Sequence, residues 1–242
     1  MGRHGTIAGR KAAQDSKRAA MFTKYARAIT VAAKNGGDPE YNPALRVAID
    51  KAKGISMPND NINRAIKKGT GELAGETYEE LSFEGYGIGG IAVICECLTD
   101  NRNRTTSSVR STFDKYGGNL GTTGCVSYMF SRKGIIIIDS EGLDEEEVMM
   151  TALEAGADDM VVNEDHFEVQ TEPSAYHDVH QAITEAGYEI ISSEIEYVPS
   201  MESTPKAEDI KKLKKMIDLL EENDDVQNVY TNCAIDLDEY DE

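Results

Sequence analysis

GIIIIDSEGLDEEEVMMTALEAGADDMVVNEDHFEVQTEPSAYHDVHQAITEAGYEIISSEIEYVP, residues 134–199, is the stretch that decides the fold. Ile135–Asp139 opens with four β-branched isoleucines and predicts a strand. Leu143–Ala155 follows as a helix, which Gly156 ends. Met160–Asn163 and Phe167–Thr171 predict two strands joined by a turn at Glu164-Asp165. Ala175–Ala186 predicts a helix stopped by Gly187, and Tyr188–Val198 a closing strand. The order β-α-β-β-α-β is that of the ferredoxin-like split βαβ unit, complete in itself.

Downstream, a charged helix is expected over residues 206–222, with the stripe Ile210, Leu213, Ile217 and Leu220, and then a strand over Val226–Leu237. This pair has no partner of its own. The simplest solution returns it to the segment before the ferredoxin-like unit, which becomes an insertion. That earlier segment predicts strands at 79–84 and 91–98, a helix from Arg102 to Tyr116, and strand-like alternation over 125–132. The acidic run Asp236–Glu242 is expected to fray.

Upstream, GTGELAG at 69–75 reads as a linker, and the period before it is helical. A first helix is expected over residues 8–35, with Phe22, Tyr25, Ala26, Ile29 and Ala33 on one side. Arg10, Lys17 and Lys24 line a second side, and Arg27 and Lys34 a third. Gly36-Gly37-Asp38-Pro39 stops this helix. Asn42 caps the next, with Pro43 at its first position and Gly54 past its end. A third helix opens near Pro58, buries Ile62, Ala65 and Ile66, and stops at Gly69. The expected class is α+β in three domains: a helical one at 1–75, a discontinuous one at 76–133 plus 200–242, and the insertion at 134–199.

Charge divides along the same lines. Residues 1–72 hold 14 Lys and Arg against 6 Asp and Glu, a balance of +8. Residues 73–242 hold 11 against 38, a balance of −27, so the net −19 hides a basic head on an acidic body. Such a block is the electrostatic footprint of a polyanion partner, and the acidic remainder would repel that partner. The alternative is a solvated face that serves solubility.

Other classes are disfavoured. No apolar run approaches the 18 residues of a membrane span, and no apolar segment follows the basic N-terminus, so a cytoplasmic protein without membrane contact is expected. Cys95, Cys97, Cys125 and Cys233 include no C-x-x-C pair and predict buried free thiols. Gly85–Gly90 contains G-x-G-x-x-G, but a strand follows where a dinucleotide site needs a helix. His177 and His180, one turn apart, lack a third ligand nearby. Neither G-x-S-x-G nor a P-loop is present. We expect no enzyme, cofactor or metal.

Several blocks resemble the YebC/PmpR family, bacterial proteins with mitochondrial relatives. They are Arg10–Asp15, Phe22-Thr23-Lys24, Gly36–Pro39, Asn42-Pro43, Ala48–Lys53, Met57-Pro58, Asn61-Ile62 and Arg64–Gly69. The match continues through Thr99–Thr105, Gly117–Gly121 and Val126–Phe130, in order along essentially the whole chain. The resemblance implies a three-domain fold with a helical N-terminal domain and an inserted ferredoxin-like domain. It also implies nucleic-acid work without catalysis: transcriptional regulation on DNA, or translation on the ribosome. Most members carry Ser-Lys-Trp near position 5. Here Gly5-Thr6-Ile7-Ala8-Gly9 stands instead, without a stacking ring or cation.

Candidate nucleic-acid contacts are Arg3, Arg10, Lys11, Lys17, Arg18, Lys24 and Arg27 in the arm and first helix. Asn63, Arg64, Lys67 and Lys68 follow on the third helix, and Arg102 and Arg104 in the acidic body. Arg10, Lys17 and Lys24 are spaced to meet successive phosphates. Residues 43–68 have the size of a helix-turn-helix, or of a packed helical hairpin presenting a basic patch. Arg102 and Arg104 sit where a helix dipole disfavours cations, which suggests an anion contact or pairing with nearby carboxylates. The expected function is a DNA-binding transcriptional regulator. The alternatives are a ribosome-associated translation factor on ribosomal RNA and a protein-interaction scaffold, with the acidic domains meeting ribosome or protein partners.

Overall fold

In a computed structural model of the chain, residues 7–237 are described, with side chains from residue 19 onward. The chain divides into two compact units. Ser127–Ser203 forms one, and the described residues on either side of it form the other.

The first unit begins with three helices, α1 (Ile7–Ala32), α2 (Pro43–Gly54) and α3 (Asn59–Gly69). Asn42 caps α2 as expected, its side chain accepting from the Leu45 N–H at 3.1 Å. The Asn42 amide also donates to the carbonyls of Ala32 and Gly36, which fixes the α1–α2 turn. Ile29, Ala33, Leu45, Ile49, Ala52 and Ile62 are buried together. Both α2 and α3 pack on α1 more extensively than on each other, so α1 is the spine and the 43–68 segment is not a free-standing hairpin. Gly54 is the last helical residue of α2, and the left-handed position falls instead on Ser56, with φ 59°. Gly69 is the last residue of α3, and the position takes glycine for a steric reason: a Cβ there would collide with the Thr30 carbonyl of α1 and the Ala33 methyl just past it.

The same unit contains a four-stranded antiparallel sheet. Its strands are β1 (Glu79–Tyr86), β2 (Ala92–Thr99), β3 (Asn119–Leu120) and β8 (Val226–Thr231), in the order β3-β1-β2-β8. Two helices, α4 (Arg102–Lys115) and α7 (Ala207–Glu221), cover it. Val93, Cys95 and Cys97 alternate along β2 and meet Val109 and Phe113 of α4 and Leu213, Met216 and Leu220 of α7. The C-terminal helix and strand thus return to the middle of the chain, as expected. β8 is shorter than expected, and Gly87–Gly90 forms a turn between β1 and β2.

The second unit is β4 (Phe130–Asp139), α5 (Glu145–Glu154), β5 (Asp159–Val162), β6 (His166–Thr171), α6 (Tyr176–Glu185) and β7 (Ile190–Pro199). Its strand order, β5-β6-β4-β7, is that of a ferredoxin-like sheet. Ile136, Ile138, Phe167 and Val169 pack on Val148 and Ala152 of α5 and Val179 and Ile183 of α6. Gly156 and Gly187 stop the two helices with φ of 105° and 83°. One expectation is corrected. Residues 125–132 are not a separate strand; Ser127–Met129 is a single 3-10 turn leading into β4. The cause lies upstream, where the buried Glu84 carboxylate accepts from the N–H groups of Gly124 and Val126 and bends that segment away from pairing.

Candidate nucleic-acid interface

Among the sequence-predicted candidates whose side chains are described, α3 presents the cations that stay open. Its polar side carries two strips at helical spacing: Asn61, Arg64 and Lys68 on one, Asn63 and Lys67 on the other. Asn61, Asn63, Arg64 and Lys67 are exposed. Among the described residues, the side chains of Arg64 and Lys67 have no carboxylate partner. Lys68 lies 3.7 Å from Glu76, an exposed and easily exchanged pair. Lys67 and Lys68 fall in the last turn of α3, where the dipole favours positive charge.

Between α1 and α3 lies an open cleft of about 300 Å³. Ala26, Thr30, Met57 and Ala65 line its inner part, and Phe22 and Tyr78 add aromatic rings. Arg64, Lys68, Asn61 and Thr23 supply polar groups at the same cleft. Arg27 also reaches it, and among the described residues its buried Nε–H has no acceptor.

Arg27 is otherwise held from within the chain. Its Nη1 donates to Asp225 Oδ1 at 2.6 Å, to the Asp224 carbonyl at 2.6 Å and to the Leu98 carbonyl at 3.1 Å. The guanidinium lies 5.4 Å from the centre of the Tyr78 ring. Arg104 joins the same carboxylate: its Nη2 is 2.9 Å from Asp225 Oδ1 and 2.7 Å from Asp100 Oδ1. Thr105 Oγ1 donates to Asp225 Oδ2 at 2.7 Å. Burial alone would raise the Asp225 pKa. The hydrogen bonds from Thr105, Arg104 and Arg27 outweigh burial and hold it below the usual carboxylate value.

Neighbouring cations behave similarly. Lys24 donates to the Glu221 carbonyl, and Lys34 to that of Tyr78. Burial lowers the Lys24 pKa, against the pull of Glu221 and Asp224. Arg102 pairs with Glu79 at 2.9 Å on the surface. The positions expected to contact anions at the start of α4 are therefore engaged by the chain's own carboxylates. Those carboxylates offset the unfavourable dipole, and the Asn101 side chain caps the helix by accepting from the Arg104 N–H.

The sequence-predicted residues thus separate. Asn63, Arg64, Lys67 and Lys68 share the exposed side of α3. Lys24, Arg27, Arg102 and Arg104 are turned to acceptors within the first unit. Arg3 lies outside the described residues, and so do the side chains of Arg10, Lys11, Lys17 and Arg18. Sequence reasoning missed Asp225, to which no local pattern points, and missed that Phe22 and Tyr78 line one cleft. The aromatic Tyr78 just past GTGELAG was the available signal.

Fold and surface together define an α+β protein with a helical head whose third helix is cationic and open. Comparison with known proteins resolves the class further. Residues 3–72 match the TACO1/YebC protein N-terminal domain, and residues 78–233 match the TACO1/YebC second and third domain. The chain is 53% identical over 239 residues to a probable transcriptional regulatory protein of Clostridioides difficile, covering 98% of this chain and all of the relative. A protein of the same description from Geobacter sulfurreducens is 53% identical, covering 97% of this chain and 95% of the relative. The crystal structure of a conserved hypothetical protein from Aquifex aeolicus superposes with a TM-score of 0.82 at 45% identity, covering 92% of each chain. The chain belongs to the TACO1/YebC family.

Proposed function

We propose that this chain is a nucleic-acid-binding regulator of gene expression, acting on DNA as a transcriptional regulator, without catalysis and in the cytoplasm. The observation that carries the reading is the open side of α3, where Arg64 and Lys67 stand exposed without a carboxylate partner among the described residues. The curated relatives are described as probable transcriptional regulatory proteins, which supports the same reading. Arg3, Arg10, Lys11, Lys17 and Arg18 add positive charge earlier in the same segment. Phosphate contact through such cations gives affinity and salt dependence, while base edges or DNA shape supply sequence preference. Lys24, Arg27, Arg102 and Arg104 serve the fold in this reading and leave the phosphate contacts to the others. The three-domain division at 1–75, 76–133 with 200–242, and 134–199 assigns the contact to the first domain. Among the described residues no helix is long and apolar enough to cross a membrane.

The test is the salt dependence of binding to a labelled DNA duplex. Arg64→Ala with Lys67→Ala is expected to weaken binding and to reduce the log–log salt slope by about 2, close to one per lost phosphate contact. An unchanged slope removes α3 from the interface. Chromatin capture of the intact protein is expected to recover discrete promoter fragments. Recovery with ribosomal particles instead would move the function to translation, and absence of any salt-sensitive binding would leave a protein scaffold.

A further inference from the structure

We propose that the cleft between α1 and α3 receives one unstacked nucleotide of single-stranded nucleic acid, its base against Phe22 and Tyr78 and its phosphate on Arg64 and Lys68. The inference rests on the nucleic-acid reading above and names the form of ligand that the head takes.

Four observations converge. The cleft, at about 300 Å³, stands at the small end of ligand sites and suits one nucleotide rather than a stretch of duplex. Two aromatic rings line it, and every base offers a π-face to stack on them without sequence preference. The Asn61 carboxamide, exposed beside the rings, has both donor and acceptor for a base edge. Finally, Arg27 lines the same cleft and adds a cation beside the Tyr78 ring.

Charge selects this occupant over an apolar peptide. Arg64 and Lys68 sit beside the rings, one turn apart along α3, where a sugar–phosphate chain would run. A neutral peptide would leave the charges of Arg64 and Lys68 unmatched. Paired and stacked bases of a duplex cannot reach an aromatic slot, so the nucleotide must be single-stranded or extruded.

The experiment uses the full chain and fluorescence anisotropy with four labelled probes: oligothymidylate and oligouridylate 12-mers, a deoxyribose backbone of the same length without bases, and a 12-base-pair duplex. Both base-bearing strands are expected to bind at least about tenfold tighter than the abasic backbone. Phe22→Leu and Tyr78→Leu, which keep apolar bulk and remove a ring, are expected to reduce oligothymidylate binding about tenfold each, the scale of one lost stacking contact. Their binding to the abasic backbone should stay within about threefold of the parent. If either variant melts early, Asn61→Ala, an exposed change, answers the same question. Equal, salt-sensitive affinity for the abasic and base-bearing strands would overturn the cleft and leave the nucleic-acid reading standing. Failure to bind any of the four probes would overturn both.

Discussion

Two four-stranded antiparallel sheets of similar size are assembled in opposite ways. In the ferredoxin-like sheet, all four strands fall between Phe130 and Pro199, and its helices are interleaved with them. In the other, β1 and β2 wait for β8, which begins at Val226, and for α7 just before it. The first is closed by neighbours in sequence, the second by distant ones. The long closure carries an extra fastening: Asp225, immediately before β8, takes Arg27 from α1 and Arg104 and Thr105 from α4. The comparison teaches why Arg27 of the head and Arg104 of the acidic body are spoken for. A buried carboxylate cannot be left alone, so the arginines nearest it are committed to structure and withdrawn from any polyanion.

The largest expected effect breaks the comparison outright. A chain ending at residue 203 should lose the cooperative unfolding of the β1–β2 sheet, because Leu213, Met216, Leu220 and Val226 leave its core. Residues 127–203 expressed alone should fold, with their own core intact. Amide hydrogen exchange on both pieces checks this, and equal protection in the two would refute the distinction between local and distant closure.

A smaller effect comes from Asp225→Ala, which strands Arg27 in a buried site where it is only 12% exposed. The expected cost is about 3 kcal/mol, confined to the first unit in denaturant melts. The pH behaviour sharpens the point. The Asp225 pKa is lowered by folding, so the network's contribution is complete above the unfolded carboxylate's range near pH 4. It is lost only as pH falls through the lower folded value. Stability contributed by this network should therefore be flat from pH 5 to pH 8 and decline in acid, and the decline should be shallower in Asp225→Ala.

The smallest effect is expected at Arg102. Its pair with Glu79 is exposed on both sides, 63% and 45%, so Arg102→Ala should change stability by less than about 1 kcal/mol. A cost near that of Asp225→Ala would mean that this surface pair belongs to the fastening as well.

Legibility in the sequence followed the same line. The ferredoxin-like unit could be read because each element carries its own period and each of its two helices its own glycine stop. The two-residue strand β3, within GGNLG, has no period to read. The bend at 124–129 depends on Glu84, some 40 residues earlier, and looked like strand alternation without it. At the candidate site, the helical spacing of Asn63, Arg64, Lys67 and Lys68 was visible in α3. The diversion of Arg27 was not, since its partner lies 198 positions away and nothing near either residue announces the other. Phe22 was legible as part of an apolar stripe, but not its place beside Tyr78 in a cleft.

The late arrival of β8 also matters while the polypeptide is being made. β2, an almost wholly apolar strand, leaves the ribosome well over a hundred residues before the strand that covers its edge. At ordinary elongation speeds the interval is on the order of ten seconds. Throughout it the nascent chain shows an unpaired, sticky margin, the kind of surface that holdase chaperones shelter and that seeds aggregation when synthesis stalls.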